Sequence, residues 1–144
     1  MSALRKVVLS TGEAGLGDRL DEKLAGGAIT PGHLVMRNSA DAVVVHATSG
    51  GETSPLFAKE DVYQGRTIDD AYASGEPVQL HHAGSGDVIN CILATSQTIV
   101  IGDDIMSNGN GQVAKKTSTN WIIGKAIEAV TTTGTAARLA IRIK

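Results

Sequence analysis

Glycine punctuation constrains this chain more than any other feature of its sequence. From Gly26 onward, turn signals recur at short spacing: Thr30-Pro31-Gly32, Thr48-Ser49-Gly50-Gly51, Gly75-Glu76-Pro77, Gly84-Ser85-Gly86-Asp87, Asn108-Gly109-Asn110-Gly111 and Thr133-Gly134. Glycine supplies the φ > 0 positions of such turns, and proline pre-sets φ at their first corner. Helix-forming periodic stretches are scarce. The segments between turns read as strands over residues 33–37, 42–47, 56–59, 77–82, 88–94, 104–106, 112–116, 122–130 and 136–143. The last alternates, with Leu139, Ile141 and Ile143 on one face and Arg138, Arg142 and Lys144 near the other. Strands and turns at this spacing predict an all-β fold: a compact β-barrel or sandwich of short antiparallel strands.

A length of 144 residues fits one domain with one real hydrophobic core. Phe57, Tyr63, Tyr72 and Trp121 are the only aromatic residues, so that core must be built from many small contacts of Val, Ile, Leu and Ala. The formal charge of −2 comes without a basic stripe, which argues against direct nucleic-acid binding. The apolar runs fall far short of the roughly 20 residues that span a bilayer. The sequence Met1-Ser2-Ala3-Leu4-Arg5-Lys6 has no secretory apolar stretch, and the single Cys91 allows no intrachain disulfide. Both predict synthesis in a reducing cytoplasm. Cys91, inside Val88-Ile89-Asn90-Cys91-Ile92-Leu93, reads as a small core residue.

Residues 1–25 differ from the barrel domain expected over 26–144. Lys6-Val7-Val8-Leu9 suits a short strand, and Thr11-Gly12-Glu13-Ala14-Gly15-Leu16-Gly17 is too glycine-rich to hold a regular element alone. Leu16, Leu20 and Leu24 lie four residues apart, the spacing of one face of two helical turns. So short a helix is marginal without something to pack on. The segment therefore reads as an extended arm, with a short helix or a strand, ordered by the barrel or by a neighbouring chain. Leu4, Val7, Leu9, Leu16, Leu20 and Leu24 are its candidate protein-contact residues. Trp121 has two readings, an interface anchor or a plug at a barrel end.

The chain also carries an internal repeat. With Gly32 aligned to Gly102, Ile29 meets Ile99, Val35 meets Ile105, Met36 meets Met106, Asn38 meets Asn108 and Val43 meets Val113. A four-residue slip then brings Leu56-Phe57-Ala58-Lys59 onto Ile122-Ile123-Gly124-Lys125. Duplication and shared hairpin grammar both account for the matches, and either predicts two similar hairpin-plus-strand units in one pseudo-symmetric barrel.

A search for chemistry finds little that converges. His81 and His82 are adjacent on a strand and face apart, and no HxH or CxxC spacing supplies a zinc site with His33 or His46. Asp69-Asp70 and Asp103-Asp104 are likewise poorly disposed as acid/base pairs, and Asp103 suits a cap for the bend at Gly102. The nucleophile elbow, a complete phosphate loop and an EF-hand are absent. Asn108-Gly109 is better explained as a hairpin turn. The sequence thus predicts a protein that is not an enzyme and holds no cofactor or metal. His46, His81, His82 and Asp87 are the only plausible polar cluster for an alternative soluble binding or enzymatic barrel.

Several stretches are similar to a known family: Ala14-Gly15-Leu16-Gly17-Asp18-Arg19, Gly27-Ala28-Ile29-Thr30-Pro31-Gly32-His33-Leu34-Val35, Ile68-Asp69-Asp70-Ala71-Tyr72 with Gly75-Glu76-Pro77-Val78, Gly102-Asp103, Gly109-Asn110-Gly111, and Ile123-Gly124-Lys125-Ala126-Ile127-Glu128-Ala129-Val130. Across nearly its whole length the chain resembles the small cement or decoration proteins of tailed-phage capsids. Leu80-His81-His82-Ala83 departs from the more apolar strand expected there. The resemblance implies a virion protein on the outer capsid surface that binds the major capsid protein and stabilises the expanded shell. It implies a homo-oligomer, with a trimer favoured over a dimer because capsids offer three-fold positions. In this reading the arm contacts the shell or swaps between subunits, and the barrel holds the oligomer. A tail, fibre or adaptor module of the particle is the alternative.

Overall fold

The computed structural model describes residues 6–10 and 20–144. These form β1 (Val8–Ser10), β2 (Leu20–Leu24), β3 (Leu34–Arg37), β4 (Val43–Val45), β5 (Leu56–Ala58), β6 (Pro77–His82), β7 (Val88–Leu93), β8 (Thr98–Ile99), β9 (Asp104–Gly109), β10 (Gln112–Lys115), β11 (Gly124–Ala126), β12 (Val130–Thr131) and β13 (Ala137–Ile143), with one 3-10 turn at Val62–Gln64. The all-β expectation holds, and every strand predicted after Gly26 except that over 122–130 is present as one strand, β6 with its expected limits and the others with their ends trimmed or extended.

The predicted strand over 122–130 is instead two strands, β11 and β12. Its ladder with β13 is interrupted because the Glu128 Oε1 carboxylate accepts the Ala140 amide at 2.9 Å. A side chain thus takes the donor that another backbone rung would have used. The two-residue β8, which pairs with β12, lies outside the strands read from the sequence.

Two closed strand rings emerge from the pairings. In the second half, β7 pairs with β13, β13 with β11, β11 with β9 and β9 with β10. β10 then returns to β7 through the parallel pair Val113↔Leu93. In the first half the order is β2-β6-β5-β3-β4, and Ala25, directly after β2, closes the ring by a parallel bridge to Val43 of β4. The two circuits have the same order and the same single parallel closure.

The repeat is therefore an architectural duplication, and each hairpin-plus-strand unit closes its own ring. Gly32 and Gly102 both take left-handed backbone, at φ 99° and 93°. Their amides donate to Ala58 and Ala126 at 2.8 and 2.9 Å. That match corrects the alignment beyond the hairpins. Ala58 corresponds to Ala126, so the slip is two residues rather than four, and Leu56 corresponds to Gly124 rather than Ile122. Hydropathy misleads there because Phe57 falls on Lys125, and the two lie in opposite environments.

Each ring has its own interior. Ala25, Ile29, Val35, Val43, Leu56, Ala58, Tyr72, Val78 and Leu80 fill the first. Alternation along β3 and β5 sends Leu34 and Phe57 the other way. They join the second ring's cluster with Ile89, Cys91, Leu93, Val113, Leu139 and Ile141. Burying Phe57 completely at this joint contributes about 2–3 kcal/mol relative to exposure.

Main-chain bonds reinforce the joint. The Leu34 amide donates to the Gly111 carbonyl at 2.8 Å, and the Gly111 amide donates to the His46 carbonyl at 3.0 Å. Gly111 has φ 75°, and a Cβ there would meet His33 and Val45 at 3.0 Å. Both left-handed geometry and close approach therefore call for glycine.

Candidate interaction surfaces

Of the six arm residues singled out from the sequence, Leu4 and Leu16 lie outside the described residues. Val7 is fully buried in the core shared at the joint. Its amide donates to Glu60 Oε2 at 3.1 Å, and its carbonyl accepts from the Asn90 amide at 2.7 Å. β1 runs antiparallel to β7, with Val8 opposite Ile89, and Leu9 is half-buried.

Leu20 to Leu24 forms an edge strand rather than the helical turns suggested by the leucine spacing. β6 offers a five-residue antiparallel register from Leu20↔His81 to Leu24↔Pro77, against which two isolated helical turns cannot compete. The outward position of Leu24 leaves it 57 % exposed.

Trp121 precedes β11, anchored where its amide donates to the Gly50 carbonyl at 3.1 Å. Its ring is 46 % exposed and lines a shallow groove with Thr53, Pro55, Ile122 and Lys144. It is a surface aromatic and not a barrel plug.

The polar residues weighed for chemistry are dispersed among separate partners. His46 Nδ1 lies 2.7 Å from Ser107 Oγ in a buried contact across the joint. His81 Nε2 lies 2.9 Å from Asp87 Oδ2, both side chains being wholly buried. His82 Nε2 meets Asp21 Oδ2 at 3.1 Å near the surface. The hydrogen bond with His82 leads the effects that hold the Asp21 carboxyl below its ordinary range.

His33 Nδ1 accepts the Thr30 amide at 3.1 Å. Burial, and then the Arg138 guanidinium, lower its pKa to about 4. Asp103 does cap its bend, accepting the Val100 amide at 2.9 Å, and this bond is the main reason that its pKa is lowered. Among the described residues no group of three or more His, Cys, Asp or Glu is disposed to hold a metal ion. None of their helices is long and apolar enough to cross a membrane.

The most distinctive exposed surface lies on the second ring. A groove lined by Ile101, Asp104, Ile122, Lys125, Ile127 and Arg142 combines apolar and basic groups. Ile101 is 71 % exposed beside Val100 at 53 %. Lys125 Nζ sits 2.7 Å from Asp104 Oδ1, and this bond is the main cause of Asp104's lowered pKa.

The sequence reading missed this groove, although the repeat contains its signal. Alignment of Gly32 with Gly102 sets Ile101 on Pro31 and Asp104 on Leu34, and the corrected slip sets Lys125 on Phe57. One copy is apolar where the other is charged, which marks a face covered in one ring and open in the other.

No known family profile matches the chain, and no curated protein matches it either. Among solved structures it is similar in fold to the N base of the head fiber gp8.5 of bacteriophage phi29. That similarity has a TM-score of 0.59 at 10 % identity, covering 87 % of this chain and 92 % of the other. The duplicated β architecture therefore has a solved structural counterpart over nearly its whole length.

Proposed function

We propose that this protein is a non-enzymatic structural component of a tailed-phage particle, carried on the outer surface of the head. In this reading it binds the major capsid protein and stabilises the expanded shell as a cement or decoration protein. The observation that carries the proposal is the near full-length likeness to the base of a phage head fiber. The dispersal of the histidines and carboxylates among separate partners supports a structural rather than a catalytic role. The protein acts as a homo-oligomer, a trimer, whose several weak shell contacts add up through multivalency.

A second reading has its own support, because the neighbour is described as a fiber base. The chain is then the seat of a projecting head fibre and not a clamp between capsid subunits.

Co-sedimentation with empty expanded heads tests the proposal: saturable binding in fixed ratio to the major capsid protein is expected. Failure to bind expanded heads at micromolar concentration overturns it. Heat-induced rupture of the same heads separates the two readings. A cement raises the rupture temperature on binding, whereas a fibre seat leaves it unchanged.

A further inference from the structure

Duplication gives each ring two comparable faces, and among the described residues only one face of each ring is used within the chain. The first ring docks through Pro31, Leu34, Phe57 and His81, all buried. Their counterparts on the second ring are Ile101, Asp104, Lys125 and Arg142, by the matched registers Leu34↔Phe57 with Phe57↔His81 and Asp104↔Lys125 with Lys125↔Arg142. That second-ring face carries no ring.

The receiving surface shows the converse. On the second ring it includes Asn90, Gly111 and Arg138, whose guanidinium donates to the Pro31 and Ile68 carbonyls. The first-ring counterparts, by register, are Glu22, Asp41 and Pro77, and all three are exposed.

We propose that these two unmatched faces meet between copies of this chain. The second ring of one protomer packs head-to-tail on the first ring of the next, repeating the joint found within the chain and closing as three protomers. The inference deepens the homo-oligomer of the proposed function and rests on that reading for its biological setting.

Charge supports the pairing. The docking face carries Lys125, Arg142 and Lys144 around one carboxylate, Asp104. The receiving face carries Glu22 and Asp41 with Asp21 close by, offset by Lys23 and Arg37. Each face has an exposed apolar centre, Ile101 at 71 % and Leu24 at 57 %.

The exchange of Leu34 and Phe57 for Asp104 and Lys125 follows from the same reasoning. A joint inside one chain is never solvated after folding and can be wholly apolar. A joint between chains must also be soluble while open, which favours a charged rim around a small apolar centre. A head-to-tail contact uses different surfaces on its two sides and closes into a ring when the rotation permits.

Two variants test this, Ile101→Asp on the docking face and Leu24→Arg on the receiving face. Both positions are exposed, and an unchanged far-UV circular dichroism spectrum with a single cooperative urea transition of the dissociated variant verifies that each folds. Light scattering should give the wild type three times the 14.9 kDa chain mass and each variant the mass of one chain. Self-association should weaken by at least roughly thirtyfold. An equimolar mixture of the variants should give twice the chain mass, because only one intact pair of faces remains between two chains.

A monomeric wild type, or either variant at wild-type mass, overturns the proposal. So does a mixture that stays monomeric. Head co-sedimentation of the same samples reports on the particle role separately: binding by a monomeric wild type would retire the joint and leave the capsid reading standing.

Discussion

Phe57→Ala and Lys125→Ala alter equivalent positions of the two rings, and they should differ sharply in cost. Phe57 is fully buried in the cluster that the rings share. Truncating a core phenylalanine costs about 3–5 kcal/mol through lost transfer energy and the cavity left behind. That is a large share of the roughly 5–15 kcal/mol that holds a domain folded. At about 2–4 °C per kcal/mol for a chain near this size, Tm should fall by about 6–20 °C. In the separated protomer Lys125 keeps 64 % of its side chain in solvent beside Asp104, so in the Leu24→Arg background, where protomers stay apart, losing such a pair should leave the midpoint within experimental error. Urea unfolding provides the assay, at one protein concentration, followed by far-UV circular dichroism and by the fluorescence of Trp121. The tryptophan lies just before β11 of the second ring, with its amide anchored on Gly50 of the β4–β5 connection, whereas Phe57 belongs to β5 of the first. If the joint makes the rings one cooperative unit, Phe57→Ala shifts both signals together with an unchanged m-value. A Trp121 transition that stays in place while the dichroism becomes biphasic would refute the shared core. Equal costs for the two substitutions would refute the assignment of opposite environments to matching faces.

Further predictions follow from particular contacts. Asp87→Ala removes one member of the buried His81 pair and the acceptor of the Gly84 amide; a loss of about 3–5 kcal/mol is expected in urea titration. Cys91 is buried, which pushes its thiol up to about 12. It should resist a thiol-reactive disulfide reagent at pH 8 while folded and react stoichiometrically in denaturant, and rapid native labelling would contradict its placement. His33 is held neutral by burial and by Arg138, with a pKa near 4 against 6.5 in a free side chain. The unfolded chain therefore binds the extra proton first, and this site contributes stability above pH 6.5 that declines as the pH falls to 4. In His33→Asn, which offers an acceptor to the Thr30 amide without titrating, the decline over that window should be shallower.

The strands after Gly26 were legible because local turn chemistry and apolar alternation pointed the same way. The hairpin from β9 to β10 was foreseen at Asn108-Gly109-Asn110-Gly111, and β6 matches its expected limits at Pro77 and His82. Leu20–Leu24 was ambiguous because its leucines satisfy a helical spacing, while the β6 edge that decides the matter lies more than fifty residues away in sequence. Tertiary pairing overrode the local signal. The break between β11 and β12 was hidden for a similar reason: Glu128 ends the ladder through its side chain, which residue-type alternation does not register.

The interaction surface was illegible for a more instructive reason. Comparing the copies for similarity found the ring interiors, Val35 with Ile105 and Val43 with Val113, because both interiors must be apolar. The faces that set the arrangement of the rings are the places where the copies differ. Phe57 against Lys125 and Leu34 against Asp104 are mismatches in an alignment, yet each mismatch reports whether its face is covered. A duplicated fold therefore carries two messages at different positions. Similarity between the copies identifies what fills each ring, and systematic dissimilarity identifies where the rings, and in our proposal successive protomers, meet.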